Sequence, residues 1–242
     1  MARRKKRNES LSKKIILLIL LLVCFYFKNE IETFLVNSLV PSYALSDIPE
    51  YQGEKYVFIN NNNPDFKEED FTTDSFESYS DLDILGRCGV AMANIGIDLM
   101  PTEKREGIGM IKPSGFQTTK YDFIDGKYLY NRCHLIGYQL TGENANPKNL
   151  ITCTRTMNAR TMLEFENKIA NYVKNTNNHV LYRVTPIFKN NNLVATGVEM
   201  EAQSVEDNGR GIKFHVFLYN VEDKIEINYL DGSSKLKEVD VK

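Results

Sequence analysis

The chain has 242 residues, of which 42% are hydrophobic and 26% charged, and its formal net charge is −2 at pH 7. Residues 1–28 carry eight of the 30 Lys and Arg but a single acid, so the remaining 214 residues have a formal balance of −9. This acidic remainder excludes a protein that coats nucleic acid by charge alone, because phosphate neutralisation supplies most of that affinity. Its length is typical of one domain with a sizeable core.

A basic segment followed by an apolar run opens the chain. Residues 1–14 contain seven cations, and residues 15–27 form an unbroken apolar run. This pattern is typical of an export signal whose positive flank stays in the cytoplasm. Thirteen apolar residues are fewer than the roughly 17–25 of a full membrane span. We predict export with retention as a membrane anchor; cleavage near Ala44 with secretion, and a buried core helix, are the alternatives.

The predicted boundaries are a signal or anchor over residues 1–28, a linker over 29–54 and a folded domain over 55–242. Three cysteines lie outside the apolar run, namely Cys88, Cys133 and Cys153. An odd number in an oxidising compartment favours one disulfide and one spare thiol. We predict the pair Cys88–Cys133, because each cysteine follows an arginine; buried free thiols are the alternative. The spacing does not resemble a zinc site.

The centre of the chain predicts two strands and a helix. Residues 127–135 and 149–154 have strand patterns on either side of a polar loop. Apolar side chains then recur at helical spacing over residues 157–174. Thr161 with Glu164 three positions later predicts a capping box at the start of the regular helix.

The rest of the domain predicts β-structure. A short apolar strand covers residues 55–59. Four more strand patterns follow the helix and end in a turn at Asp231 and Gly232, over residues 179–188, 193–205, 212–221 and 224–230. The fold class is therefore predicted as α+β, with a ββα unit packed beside an antiparallel sheet.

Polar residues with catalytic chemistry collect around this ββα unit. His134 is surrounded in sequence by amide residues, and Asn158 and Glu166 follow on the helix. Eight positions on an α-helix rotate by about 80°, so Asn158 and Glu166 can border one cleft. Their oxygens are donors that Mg²⁺ prefers, and a nearby histidine can deprotonate water. Taken singly, these residues are as readily a structural histidine, turn-forming asparagines and a solvated glutamate.

Residues 131–138 (Asn-Arg-Cys-His-Leu-Ile-Gly-Tyr) and 146–151 (Asn-Pro-Lys-Asn-Leu-Ile) resemble the core of the DNA/RNA non-specific endonucleases. More narrowly, they resemble the bacterial membrane-bound nucleases of DNA entry. The similarity extends from residue 86 to 232 and is most specific over 128–166. The resemblance implies a ββα-metal nuclease core with one Mg²⁺, for which Mn²⁺ is a substitute. It also implies cleavage to a 5′-phosphate and a 3′-hydroxyl.

The resemblance carries residue roles with it. His134 matches the family's general base, and Asn158 matches its metal-binding asparagine. Asn149 matches a second active-site asparagine, and Glu166 matches a helical glutamate. Position in the sequence alone suggests three contacts to the substrate backbone, namely Lys148, Arg155 and Arg160.

Two positions depart from the family pattern Asp-Arg-Gly-His. Asn131 replaces the aspartate and so brings no negative charge that could raise the basicity of His134. Cys133 replaces the glycine and restricts the backbone there. Arg132 is kept, and it is expected to contact a phosphate or to position the loop of His134.

We therefore predict an exported, Mg²⁺-dependent endonuclease acting on DNA and RNA with little sequence preference. Its predicted partners are the nucleic-acid substrate and, through the N-terminal segment, the membrane, with no obligate protein partner. Two alternatives remain open at this stage. One is a non-catalytic surface module that binds DNA or another envelope polymer, and the other is a phosphodiesterase for a smaller diester.

Overall fold

A computed structural model describes residues 48–238. The predicted signal or anchor and most of the predicted linker lie outside the described residues, so these boundaries stay predictions. In the described part, no helix combines the length and the apolar character needed to span a bilayer.

Twelve regular elements follow one another in the described chain. The strands are β1 (Tyr56–Phe58), β2 (Phe76–Tyr79), β3 (Ala91–Ile95), β4 (Tyr130–His134), β5 (Leu150–Thr154), β6 (Val180–Ile187), β7 (Gly197–Ser204), β8 (Lys213–Tyr219), β9 (Ile225–Ile227) and β10 (Ser234–Leu236). The helices are α1 (Tyr138–Thr141) and α2 (Leu163–Thr176). Short 3₁₀ turns lie at Asn60–Asn62, Glu68–Asp70 and Pro147–Asn149.

An antiparallel six-stranded sheet forms one layer of the domain, in the order β1-β8-β7-β6-β3-β2. Alternate residues of a strand point to opposite faces, and one face of this sheet contributes to the main core. On the other face, Ile187, Phe217 and Tyr219 form a smaller buried cluster. On β7, Val198, Met200 and Ala202 are buried in the main core, while Glu199 and Glu201 point to the opposite face. The predicted strands over 55–59 and after the helix are confirmed. The turn at Asp231 and Gly232 leads into β10, which the sequence analysis missed.

The ββα unit predicted around His134 is present. Strands β4 and β5 pair antiparallel, from Tyr130 opposite Thr154 to His134 opposite Leu150. Side chains of this hairpin and of α2 share one core with the sheet, among them Cys133, Cys153, Phe165, Ile169, Met200 and Val216. The hairpin and helix therefore form the second layer, and the domain is a mixed α/β fold with an antiparallel sheet.

The helix begins earlier than the predicted capping box. An i→i+5 helical segment, Met157–Met162, runs directly into α2. Thr161 lies inside this continuous helix, and its hydroxyl donates to the Met157 carbonyl at 3.1 Å. The capping-box prediction is wrong, because the hydroxyl bonds back to the preceding turn instead of capping a helix start.

The disulfide joins Cys133 to Cys153, with Cα atoms 5.8 Å apart, so the predicted pair Cys88–Cys133 is wrong. Cys153 lies diagonally across the hairpin from Cys133 on the same face, since Cys133 is opposite Ile151. Cys88 is a buried free thiol whose Sγ lies 3.2 Å from the Leu150 carbonyl oxygen. Burial raises its thiol pKa to about 12. The dipeptide similarity carried no information on which side chains face each other.

Candidate active site

His134 is the last residue of β4 and is buried. Its Nε2 lies 2.8 Å from the backbone oxygen of Asn144. A carbonyl only accepts hydrogen bonds, so in the neutral ring Nε2 carries the proton and Nδ1 keeps the lone pair. The nitrogen that can take a proton from water is therefore Nδ1.

The Nδ1 side of the ring faces Arg105, whose Nη2 lies 3.3 Å away. Burial lowers the pKa of His134 to about 4; the hydrogen bond to Asn144 opposes this shift and the charge of Arg105 adds to it. His134 is thus neutral, and able to act as a base, throughout the physiological pH range. Sequence analysis missed Arg105, which precedes His134 by 29 positions in an irregular loop whose only signal was its richness in charge and glycine.

Asn149 clamps the chain that follows His134. Its side-chain oxygen accepts from the Ile136 N–H at 2.9 Å, and its side-chain nitrogen donates to the Ile136 carbonyl at 3.0 Å. Its backbone oxygen accepts from the Leu135 N–H at 2.9 Å. Asn149 is fully buried, so both ends of its amide are committed to the backbone. It is a positioning residue for the His134 loop.

The Asn-Pro-Lys-Asn motif explains how Asn149 reaches that position. The side chain of Asn146 accepts from the Lys148 N–H at 2.9 Å, and Pro147 occupies the first turn of the 3₁₀ segment. Proline has a backbone φ suited to this turn and lacks the N–H that would be unpaired there. The turn directs Asn149 into the start of β5, beside the end of β4.

Glu166 lies on α2 with its carboxyl group against Gly137. Burial raises the pKa of Glu166 to about 7, while the Gly137 N–H, the Gln139 side chain and the charge of Arg105 oppose that rise. Arg105 therefore interacts with both Glu166 and His134. The structure thus brings Glu166 and His134 within electrostatic range of the same cation, Arg105.

Asn158 lies in the i→i+5 segment, eight residues before Glu166. Such a turn contains one more residue than an α-helical turn, so it reduces the angle between Asn158 and Glu166 below the roughly 80° of a regular helix. Its half-buried amide has no hydrogen-bond partner among residues 48–238. The oxygen of Asn158 is therefore free to bind a metal ion.

Arg132 lies on the same face of β4 as His134. Its Nη2 donates to the Gly109 carbonyl at 2.8 Å, and its Nε donates to the Ile111 carbonyl. The guanidinium also lies 4.3 Å from the ring centroid of Phe116. These contacts hold the loop that carries Arg105, so Arg132 positions that loop.

Two of the three predicted substrate contacts, Arg155 and Arg160, line one cavity, and Lys148 does not line it. Lys148 pairs with Asp81 at 2.6 Å, and Arg155 pairs with Asp125 at 2.9 Å. The side chain of Arg160 is exposed and has no hydrogen bond or ion pair within the described chain.

The two departures from the family pattern share the inner face of β4. Asn131 and Cys133 alternate with Arg132 and His134, so Asn131 points away from the ring of His134. The aspartate-to-asparagine change therefore does not place a different charge beside the base. Cys133 has an ordinary strand backbone, outside the positive-φ residues, and forms the disulfide.

A separate cluster on the sheet has the spacing of a metal site. Ligand atoms of Glu199, Glu201 and His215 lie within 4.8 Å of one another. The ring of His215 already lies 2.5 Å from Glu199 and 2.7 Å from the Asn63 carbonyl, and Glu201 accepts from Arg183 at 2.7 Å. Strand alternation puts this cluster on the sheet face opposite the ββα unit. It is an ion-pair network, distinct from the site at His134.

The model of the DNA/RNA non-specific endonuclease family matches residues 68–206, more than half of the chain. The chain therefore belongs to this family, and it is an endonuclease. No curated protein matches it significantly in sequence.

Solved structures with the same fold include two nucleases, NucA and Sda1. NucA from Streptococcus agalactiae with a magnesium ion bound is 22% identical, with a TM-score of 0.68, and the match covers 80% of this chain and 93% of NucA. NucA with no metal bound is 22% identical, with a TM-score of 0.67, and the match covers 83% of this chain and 100% of NucA. Sda1 nuclease with a bound zinc ion is 23% identical, with a TM-score of 0.62, and the match covers 76% of this chain and 97% of Sda1. At these identities the likeness shows a shared fold.

Proposed function

We propose that this endonuclease is exported, depends on Mg²⁺, and hydrolyses DNA and RNA with little sequence preference, using His134 as its general base. The observation that carries the proposal is the fixed ring of His134, with Nε2 bound to Asn144 and Nδ1 left as the acceptor. The basic and apolar N-terminal segment supports export with membrane anchoring. The acidic balance of the domain favours brief contacts with nucleic acid, as turnover requires.

Nδ1 of His134 takes a proton from water while the water oxygen attacks phosphorus. The bond from phosphorus to the 3′ oxygen breaks, which leaves a 5′-phosphate on one fragment. The leaving oxygen takes a proton from solvent and becomes a 3′-hydroxyl. A general base accelerates such a step by about 10²–10⁴, roughly 3–5 kcal/mol. Because enzymes lower barriers by about 8–23 kcal/mol, charge stabilisation must supply the rest.

The oxygen donors on the helix fit a divalent ion. Asn158 offers an amide oxygen without a partner in the described chain, and Glu166 offers a carboxyl group two turns further on. Mg²⁺ prefers one or two such oxygens and keeps several waters. When bound, the ion supplies Lewis-acid stabilisation of negative charge on the phosphate. The metal ions in NucA and Sda1 support this assignment.

The cations around the site serve the substrate in this proposal. Arg105 contacts the scissile phosphate once the strand has displaced it from Nδ1 of His134. Arg160 contacts a neighbouring phosphate directly, and Lys148 and Arg155 do so after their surface ion pairs open, which costs little because such pairs contribute at most about 1 kcal/mol.

The test compares the full-length chain with His134→Ala and with His179→Ala as a matched control. His179 pairs with Glu206 on the surface at 2.7 Å and has no place in the proposed chemistry. Each protein is incubated with plasmid DNA and with RNA, in Mg²⁺ or in EDTA. We expect wild type and His179→Ala to degrade both substrates in Mg²⁺ only, and His134→Ala to be at least about 10²-fold slower with an unchanged circular dichroism spectrum.

Equal cleavage by wild type and His134→Ala would remove His134 as the base. Intact plasmid under all conditions, together with DNA binding that persists in EDTA, would favour a non-catalytic surface module. A small phosphodiester that inhibits plasmid cleavage at concentrations at which plasmid still binds would favour the other alternative, a phosphodiesterase for a smaller diester.

A further inference from the structure

A cavity of about 370 Å³ opens beside the helical turn that carries Asn158. One wall consists of Thr156, Ala159 and Arg160, which flank Asn158 in sequence. The rest of the lining comes from residues 123–125 and 222–224. This size lies in the range of small-ligand pockets, and one planar heterocycle fits within it.

The charges that line the cavity are balanced. Acidic and basic side chains are equal in number, three of each, namely Asp125, Glu222 and Asp223 against Arg155, Arg160 and Lys224. Several of the acids are already engaged: Asp125 pairs with Arg155 at 2.9 Å, and Glu222 accepts from the Thr156 hydroxyl at 2.6 Å. A lining of this kind has no excess positive charge with which to capture a bare phosphate. It favours a neutral planar group that carries hydrogen-bond donors and acceptors.

An exposed aromatic ring forms part of the cavity lining. The side chain of Phe123 is 49% exposed, although its neighbour Ile124 is buried. Lys224 lies 5.7 Å from the centroid of the Phe123 ring, and the ring of Tyr121 lies 5.8 Å from it at a tilt of 42°. Aromatic rings flanked by cations are the platforms on which unpaired bases stack, and this stacking is tolerant of sequence.

The geometry points to a base subsite: this cavity receives one unpaired base of the substrate strand, stacked on Phe123, with Arg160 facing the phosphate of the same nucleotide. The inference rests on the proposed function, because it assigns the cavity to the strand that is cut. Its walls include Thr156 and Ala159, on either side of Asn158 in sequence, so the subsite is formed by the same stretch of helix that carries the proposed metal ligand. A base within a duplex must leave its stack to enter such a cavity, and that unstacking is unfavourable. Single-stranded nucleic acid is therefore the preferred substrate class.

The experiment measures kcat and KM of the full-length chain on a single-stranded oligonucleotide and on a duplex of the same sequence. Phe123→Leu removes the aromatic face and keeps an apolar side chain, and Phe123→Tyr restores the ring. Phe58→Leu is the matched control, since Phe58 is 55% exposed on β1, outside the cavity lining. We expect wild type to have the lower KM on the single strand. Phe123→Leu should raise that KM by roughly fivefold to a hundredfold and should affect duplex cleavage less, whereas Phe58→Leu should leave the kinetics on both substrates within about twofold of wild type.

Abasic residues locate the base. An abasic residue is placed at each position of the oligonucleotide in turn. With wild type, an abasic residue at one position should raise KM as much as Phe123→Leu does. With Phe123→Leu, the same abasic residue should raise KM no further. Phe123→Tyr should behave as wild type. Unchanged single-strand kinetics in Phe123→Leu, or equal losses on single strand and duplex, would overturn the subsite.

Binding separates this inference from the proposed function. Fluorescence anisotropy of the same oligonucleotide in EDTA, with wild type and Phe123→Leu, reports the subsite without catalysis. If wild type binds more tightly than Phe123→Leu but cleaves nothing in Mg²⁺, the proposed function fails and the subsite stands. If wild type cleaves and both proteins bind alike, the subsite fails and the proposed function stands.

Discussion

The carboxyl group of Glu166 occupies the space that a side chain on Gly137 would fill. A β-carbon at Gly137 would lie 2.6 Å from Oε2 and 2.7 Å from Oε1 of Glu166. The backbone at Gly137 is extended, with φ −60° and ψ 142°, so any residue could adopt it. Glycine is therefore needed at this position so that the Glu166 carboxyl group has space. This contact joins the loop after His134 to the helix.

Gly137→Ala should reduce activity far more than stability. The methyl group must displace the end of a flexible side chain, which the fold tolerates, but it moves Glu166 from its place beside Arg105. A displacement of about 1 Å at an active site can cost roughly 10²-fold in rate. We expect kcat/KM to fall by about that factor, with a melting temperature within a few degrees of wild type.

Gly107→Ala is the control for this change, because a β-carbon there meets no atom within 4 Å. Wild-type activity in Gly137→Ala would show that Glu166 can move without consequence for the reaction.

Glu166→Gln should stabilise the metal-free protein at alkaline pH. Burial raises the folded-state pKa of Glu166 from 4.5 to about 7, so its contribution to stability is present below pH 4.5 and is lost as the pH rises through 7. Glutamine stays neutral throughout. In EDTA at pH 8, urea unfolding should give the variant up to about 3 kcal/mol more stability than wild type, and the difference should shrink towards pH 4.5. A variant less stable than wild type at pH 8 would contradict this account.

Arg105→Gln should raise the pKa of His134. Burial and the Arg105 charge hold this pKa at about 4, and the substitution removes the charge and opens one side of the ring to water. The three histidine rings can be followed by NMR titration of the metal-free protein. The signal that is lost in His134→Ala should titrate near pH 4 in wild type and at higher pH in Arg105→Gln. An unshifted midpoint would mean that Arg105 does not act on the ring.

Periodicity was sufficient to predict the layers of this fold. The helix over 157–174 buries one face, and that burial leaves a repeating apolar pattern in the sequence. The longer strands after it are largely buried and read as apolar runs of strand length. The motif around His134 also located the ββα unit, because the strand, the turn and the second strand that carry its residues are consecutive in the sequence.

Contacts between segments could not be predicted in the same way. The Arg105 contact to His134 bridges 29 positions through an irregular loop, which leaves no periodic pattern. The pairing of Cys133 with Cys153 depends on strand register, which the sequence gives only once the hairpin is known. The clamp of Asn149 on Ile136 is likewise invisible in sequence, where asparagine indicates only a turn.

Loss of the Cys133–Cys153 disulfide should destabilise the hairpin that carries His134. The bond closes a loop with a sequence separation of 20, which corresponds to about 3 kcal/mol of stability. We expect Cys133→Ala combined with Cys153→Ala to lose about that amount in urea unfolding, and Cys88→Ala to lose less. A non-reducing peptide map should show Cys133 linked to Cys153, and a peptide linking Cys88 to Cys133 would contradict the structure.

His215→Gln should weaken the fold most strongly at acidic pH. Burial lowers the pKa of His215, but the hydrogen bonds to Glu199 and Asn63 and the charges of Glu201 and Glu199 raise it above 6.5 overall. Its contribution to stability is therefore complete below pH 6.5 and is lost as the pH rises through the folded-state pKa. Hydrogen bonds to charged groups contribute about 1.5–3 kcal/mol, so urea unfolding at pH 5.5 should show a loss of that order, which shrinks by pH 9. His179→Gln, at an exposed pair, should lose less. A loss of stability that grows with pH would mean that His215 is neutral in the folded protein. The cluster with Glu199 and Glu201 would then again be a candidate metal site.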